Sequence, residues 1–182
     1  MDSESELPQI HVQPGESHLV RTPAILCTLL GSCVGVTFWV KRLGVGALCH
    51  PMMPSFPARL SAPVEGASAL RYVDFTIRDL AAQLDATGAR RPETEVKLFG
   101  GADVLQVAQN SSRSSVGKLN CEAALRVLRA EGYAIAASSL GGEVGMQIYF
   151  NTTSGKVLLR RFGRCQTGRR GVPRENQGDS DA

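Results

Sequence analysis

The order of apolar segments along the chain is the feature that most restricts its fold. Strand-like and helix-like stretches come in groups instead of in strict alternation, which favours an α+β fold over repeated βαβ units. The predicted order is strands at 24–40 (interrupted by Gly31) and 45–50, a helix at 70–84, a strand at 95–101, a helix at 121–131, and strands at 133–139, 146–152 and 156–162.

The two helices are predicted by different signals. The first shows an apolar stripe with spacings of three and four residues, and Gly88 is placed to end it. The stripe consists of Leu70, Val73, Ile77, Leu80 and Leu84. The second helix is predicted to start after Asn120 as its N-cap and to end before Gly132.

The length of 182 residues suits one domain with a single core. We expect that domain at 17–162, after a polar N-terminal lead-in at 1–16 and before a disordered, basic tail at 163–182. A proline-rich loop at 51–66 and a serine-rich loop at 106–117 are candidate docking surfaces.

Composition excludes several classes of function. No apolar run approaches the ~20 residues of a membrane span, and the acidic start, MDSESELPQI, lacks the features of a secretory signal. A net charge of +3 is too small to indicate a nucleic-acid partner. We therefore expect a cytoplasmic protein that neither inserts into a membrane nor binds nucleic acid.

The cysteines point to reduced thiols. They are odd in number, five in a chain that is not small, and no C-x-x-C pair is present, so neither a disulfide framework nor a structural zinc site is expected. They are Cys27, Cys33, Cys49, Cys121 and Cys165.

Cys33 is the best candidate for a nucleophile. It follows Gly31 and Ser32, and the glycine allows a tight backbone path whose N–H groups can point at a substrate carbonyl. A nucleophilic cysteine also needs a base, and the base needs a polar group that orients it.

His50 is the candidate base. If 33–40 and 45–50 form a hairpin with a four-residue turn, Val40 pairs with Val45, and Cys33 and His50 share one face of the hairpin, one diagonal step apart. A two-residue turn would place them directly opposite each other. In both registers Cys49 points to the other face.

Thr28 is a candidate for the group that orients His50, and an ordinary strand threonine is an equally good interpretation of this residue. His11 and His18 lie in or near the polar lead-in, and we expect no catalytic role for either.

Several segments in fixed order resemble one family, the bacterial chemoreceptor glutamine deamidases called CheD. The resemblance covers roughly residues 18–162. It is carried by TLLGSCVGV (28–36), GVGALCHPMMP (44–54), RYVDFTI (71–77), KLFGGADVL (97–105), VGKLN (116–120) and LGGEVGMQIYFNTTSGKVLLRRF (140–162).

The resemblance implies a protein-glutamine glutaminase that hydrolyses side-chain amides of glutamines on methyl-accepting chemoreceptors, and in some members also methyl esters. It implies Cys33 as nucleophile and His50 as base. The family's third residue is a threonine six positions before the cysteine, where this chain has Cys27, with Thr28 next to it. Either Thr28 takes over the orienting role, or that role is weakened.

The resemblance also implies a layered α/β/β sandwich, no cofactor and no metal. The implied partners are the cytoplasmic helical region of the receptors and, in some bacteria, a CheC-type phosphatase. The chain departs from the family pattern where Leu119 precedes Asn120 and where Pro51 follows His50.

Two alternatives stay open at this point. A non-catalytic regulatory binder of a chemotaxis phosphatase or receptor is compatible with the altered position 27. A redox sensor or metal-binding protein that uses Cys27, Cys33, Cys49 and His50 is disfavoured, because alternation along the strand separates Cys49 from His50.

Overall fold

A computed structural model describes residues 7–55, 66–103 and 114–162. Most of the 51–66 loop, the larger part of the serine-rich loop and the C-terminal tail lie outside the described residues. The described elements are β1 (Gln9–His11), β2 (Ser17–Val20), β3 (Ile25–Leu30), β4 (Val34–Val40), β5 (Val45–Cys49), α1 (Val73–Ala86), β6 (Glu95–Gly100), α2 (Val116–Ala130), β7 (Ile135–Leu140), β8 (Met146–Asn151) and β9 (Val157–Arg161).

The strands form two mixed sheets. A four-stranded sheet has the order β1-β3-β8-β9, and a five-stranded sheet has the order β2-β5-β4-β6-β7. The pairs β1–β3 and β6–β7 are parallel, and all other neighbouring strands are antiparallel.

Alternation along the strands of the five-stranded sheet fills a core on each of its faces. On one face, Val36, Phe38 and Leu98 pack with Ile77 and other apolar residues of α1 and α2. On the opposite face, the two sheets pack together through Leu26, Leu30, Leu48, Phe99, Met146, Ile148 and Phe150. The predicted α+β class and the α/β/β layering are both confirmed.

The β4–β5 hairpin has the register that a four-residue turn predicts. Val40 pairs with Val45, and Val36 pairs with Cys49. A short 3-10 turn at Lys41–Leu43 leads to Gly44, whose φ of 61° is left-handed. Glycine adopts that conformation without the steric cost of a Cβ atom.

Two predictions about the elements were wrong. The segment 1–16 contains strand β1, which pairs with β3 and so joins the four-stranded sheet. The second helix begins at Val116, with the Ser115 side chain accepting a hydrogen bond from the Lys118 N–H as its N-cap. Asn120 therefore lies inside α2 and is fully buried there.

In the part of the chain that the structure describes, no helix is both long and apolar enough to cross a membrane.

Candidate functional site

Cys33 lies in the short bend between β3 and β4, where the chain passes from one sheet to the other. Its side chain is half-buried and packs against the core between the two sheets. Cys49 lies on the opposite face of the five-stranded sheet, in the core beneath the helices. The predicted separation of the two thiols is therefore confirmed.

Three carbonyl groups of this bend are held from the protein interior. The Gly31 oxygen accepts from the Ala102 N–H at 2.9 Å, and the Cys33 oxygen accepts from the Gly101 N–H at 2.8 Å. The Ser32 oxygen accepts from the side-chain amide of Asn120 at 2.9 Å. The path of the backbone around the thiol is thus fixed at three consecutive residues.

Gly100 allows this close approach. A Cβ atom at this position would overlap the Cys33 carbonyl oxygen, and its φ of 99° is one that side-chain-bearing residues rarely adopt. The Gly100-Gly101 pair therefore permits the end of β6 to run directly against the Cys33 bend.

His50 follows β5 and is buried, with 1% of its surface exposed. Its backbone is held by the segment before β2, since its N–H donates to the Glu16 oxygen at 2.9 Å and its oxygen accepts from the Gly15 N–H at 2.8 Å. The residue after it, Pro51, accepts a hydrogen bond from the Val34 N–H at 3.4 Å. The chain segments that carry Cys33 and His50 are thus directly linked.

Thr28 contacts the imidazole of His50. The Thr28 Oγ1 lies 2.7 Å from His50 Nδ1 and 2.7 Å from the Val12 carbonyl oxygen. A hydroxyl has one proton, and the Val12 carbonyl can only accept. Both contacts are satisfied when Thr28 donates to Val12 and accepts from a protonated Nδ1.

This arrangement selects the tautomer of the neutral imidazole. With the proton on Nδ1, the lone pair is on Nε2, which is buried and has no hydrogen-bond partner among the described residues. A buried nitrogen with an unused lone pair is able to accept a proton from a substrate or a nucleophile.

Burial favours the neutral form of both His50 and Cys33. Burial lowers the pKa of His50 from 6.5 to about 4, partly opposed by the hydrogen bonding at Val12. Burial also raises the pKa of the Cys33 thiol, partly opposed by the backbone N–H of the same residue. Burial therefore favours a neutral thiol at Cys33 and a neutral imidazole at His50 over a thiolate and an imidazolium.

Cys27, the position where the family pattern has threonine, points away from His50. Its sulfur lies 3.4 Å from His11 Nδ1 and 3.6 Å from the Ile10 oxygen, both in β1. Thr28 is thus the residue that the structure brings to His50.

Asn120 is the site residue that sequence reasoning missed. Its Nδ2 donates to the oxygens of Ser32 and Met52, at 2.9 and 3.0 Å, while its Oδ1 has no partner among the described residues. The side chain links Ser32, the residue before Cys33, to Met52 in the segment that follows His50. An amide inside a helical stretch gives no sequence signal for such a contact.

The described residues contain no group of three or more His, Cys, Asp or Glu side chains placed to hold a metal ion. Burial raises the pKa of Cys49 to about 12, which keeps this thiol protonated. The geometry therefore gives no support to shared ligation by Cys49 and His50.

A layered α+β sandwich thus carries a candidate active site, with a half-buried thiol in the β3–β4 bend and an oriented imidazole after β5. The family described as CheD chemotactic sensory transduction matches residues 52–161, more than half of the chain. The chain belongs to the CheD family, which confirms the resemblance. The matched range begins after His50 and so does not bear on Thr28, Cys33 or His50.

Relatives match over nearly their whole length. The probable chemoreceptor glutamine deamidase CheD 2 of Geobacter sulfurreducens is 36% identical over 88% of this chain and 94% of its own. The probable chemoreceptor glutamine deamidase CheD of Maridesulfovibrio salexigens is 34% identical over 88% of this chain and 95% of its own. Among solved structures, the hypothetical protein YfiH of Bacillus licheniformis covers 68% of this chain and 49% of its own, with a TM-score of 0.42 and 9% identity.

Proposed function

We propose that this protein is a protein-glutamine deamidase that converts side-chain amides of chemoreceptor glutamines to glutamates through a thioester on Cys33. The observation that carries the proposal is the orientation of His50, whose Nδ1 is held by Thr28 while Nε2 has no partner among the described residues. Family membership and the names of the relatives support the reaction class.

In the first half of the reaction, His50 Nε2 accepts the proton of Cys33 as the sulfur attacks the carbonyl carbon of the glutamine side chain. The Nδ1–H of the imidazolium that forms continues to donate its hydrogen bond to Thr28 Oγ1. The proton on Nε2 passes to the amide nitrogen, and the C–N bond breaks to release ammonia.

In the second half, His50 Nε2 accepts a proton from water, whose oxygen attacks the thioester carbon. The C–S bond breaks, the carboxyl group is released, and the thiol recovers its proton. One water is consumed and one ammonia is formed for each glutamine. Hydrolysis of a receptor methyl ester would follow the same steps with methanol as the leaving group.

The backbone N–H groups of Ser32 and Cys33 are the proposed donors to the oxyanion of both tetrahedral intermediates. The carbonyl oxygens of Gly31 and Ser32 accept hydrogen bonds from Ala102 and Asn120. In a trans peptide the N–H points opposite to the C=O, so the N–H groups of Ser32 and Cys33 point away from those contacts. Losing one such donor typically reduces kcat by about 10²–10³-fold.

The proposed substrates are glutamines on the cytoplasmic helical region of methyl-accepting receptors, which places the protein in the cytoplasm. A CheC-type phosphatase is a proposed second partner. The loops 51–66 and 106–117 are the proposed docking surface, and the net charge of +3 favours an acidic helical bundle. Charge reversal in these loops is expected to raise the KM for a receptor fragment, and an unchanged KM would count against this surface.

The test is incubation of the purified protein with a cytoplasmic receptor fragment from the same organism, followed by intact and peptide mass measurement. Each deamidated glutamine adds about one dalton as the amide becomes an acid. We expect a mass gain with the wild type and none with Cys33→Ala or His50→Ala, while Cys49→Ala retains activity.

The regulatory binder is the competing outcome of the same experiment. A binder does not require an oriented imidazole at His50. Receptor binding without a mass gain, by folded wild-type protein and with several receptor fragments, would favour the binder over the deamidase.

A further inference from the structure

Asn120 has a buried polar side chain, and the proposed mechanism uses it neither as nucleophile nor as base. It is fully buried inside α2, and both protons of its amide are used on backbone carbonyls. One carbonyl belongs to Ser32, directly before Cys33, and the other belongs to Met52, two residues after His50. The contacts span 88 and 68 residues of sequence, so Asn120 joins three remote parts of the chain.

The identity of the donor atom follows from the partners. Carbonyl oxygens only accept, so the atom between them is the amide nitrogen and not the amide oxygen. No other residue type of the same size and shape supplies two such protons. Aspartate has the same shape but would place an acceptor against two acceptors.

The contact with Ser32 also fixes a second group. The Ser32–Cys33 peptide is planar and trans, as are all the described peptide bonds, so its N–H is antiparallel to its C=O. By holding the Ser32 oxygen, Asn120 sets the direction of the Cys33 N–H on the other side of the same plane. A hydrogen bond accepted at the carbonyl also polarises the peptide and makes its N–H a stronger donor.

We propose that Asn120 is a positioning residue that aims the Cys33 N–H at the oxyanion of the tetrahedral intermediates. This inference rests on the proposed deamidation. Asn120 touches neither the substrate nor the reacting atoms, and its effect passes through the Ser32–Cys33 peptide. Its bond to Met52 keeps the bend in register with the segment that carries His50.

The test compares Asn120→Ser and Asn120→Asp with the wild type in steady-state deamidation of a receptor fragment. A serine hydroxyl supplies one donor and aspartate supplies none, so we expect kcat to fall by about 10-fold and 100-fold or more, respectively, with KM nearly unchanged. Asn151→Ala is the matched control, because Asn151 is a buried asparagine whose Oδ1 accepts from Thr153 and Ser154 in a turn after β8. We expect this control to keep the wild-type kcat even where it unfolds more easily.

A second measurement separates aiming of the oxyanion donor from general loosening of the site. Alkylation of Cys33 by iodoacetamide uses the same thiol but forms no oxyanion, so its rate is expected to stay within about twofold of wild type in Asn120→Ser. A loss of alkylation that matches the loss of kcat would overturn the proposal, as would an unchanged kcat in both variants. No mass gain with wild-type protein would instead overturn the deamidase function, and the role of Asn120 with it.

Discussion

Acidification from neutral pH to about pH 5 should destabilise this protein through His50. The folded protein keeps His50 neutral, because burial lowers its pKa from 6.5 to about 4. The unfolded chain exposes the same imidazole, which then binds a proton near its ordinary pKa. Between these two values the unfolded state binds more protons than the folded state, so stability falls as the pH falls.

The magnitude follows from the difference between the two pKa values. At roughly 1.4 kcal/mol for each pKa unit, a fall from 6.5 to about 4 corresponds to about 3 kcal/mol once both states are protonated. Most of this loss occurs before the folded state begins to titrate. Between about pH 7.5 and about pH 5, we expect a decrease of about 2 kcal/mol in the free energy of unfolding.

Urea unfolding at these two pH values, monitored by circular dichroism, measures the effect, and His50→Gln is the control that cannot titrate. Titration of Glu16 and Glu93 does not interfere above about pH 5. Their pKa values are lowered in the folded protein, so the stability that they contribute is lost only at and below the usual carboxyl range. We expect the wild type to lose about 2 kcal/mol more than His50→Gln between the two pH values. Equal losses in the two proteins would show that His50 is not held neutral, and the argument for a neutral imidazole as the proposed base would fail.

Three substitutions test the supports of the site. Thr28→Val leaves the His50 Nδ1 proton without its acceptor, so we expect kcat for deamidation to fall by roughly 10–100-fold. We also expect the free energy of unfolding to fall by about 1–3 kcal/mol. Thr28→Ser keeps the hydroxyl and should retain most of the activity and most of the stability. Cys27→Thr restores the family residue but faces His11 and not His50, so kcat should stay within about twofold of wild type, and a large gain would assign the orienting role to position 27. Gly100→Ala places a Cβ against the Cys33 oxygen at a φ of 99°, so we expect a loss of about 1–3 kcal/mol in urea unfolding together with a lower kcat.

The part of the site that sequence could predict is the part that is local in the chain. Cys33 and His50 flank one hairpin, and a hairpin with a known turn has a known register, so counting residues was enough to place both on one face. The same counting put Cys49 on the other face, where it lies in the core beneath the helices.

The supports of this pair come from regions where the sequence carries no pattern. Strand β1 has only three residues, too few for alternation to show, yet it leads directly to Val12, which accepts the hydrogen bond from Thr28. Gly15 and Glu16 hold the backbone of His50 from the same segment. The segment 1–16, predicted to be a polar lead-in, therefore contains three of the residues that support Thr28 and His50: Val12, Gly15 and Glu16.

The choice between positions 27 and 28 shows why long-range pairing was needed. Adjacent residues of a strand face opposite sides, so only one of the two can face the other sheet. Sequence alone does not say which, because the answer depends on how β3 pairs with β8 and how the two sheets stack. The structure places Thr28 and its neighbours Leu26 and Leu30 inward, while Cys27 contacts β1 from the outer side.

The opposite orientation of positions 27 and 28 shows how His50 can be oriented without the family threonine at position 27. To orient His50, a side chain must accept the hydrogen bond from Nδ1–H while its own proton is donated to another group. Thr28 does this, because its hydroxyl donates to the Val12 carbonyl and accepts from His50. A cysteine on the outward-facing neighbour changes neither contact. The hydrogen bonds made by a candidate base are therefore a better guide than conformity to a family pattern at a single position, and they support Thr28 as the residue that orients His50 in the proposed mechanism.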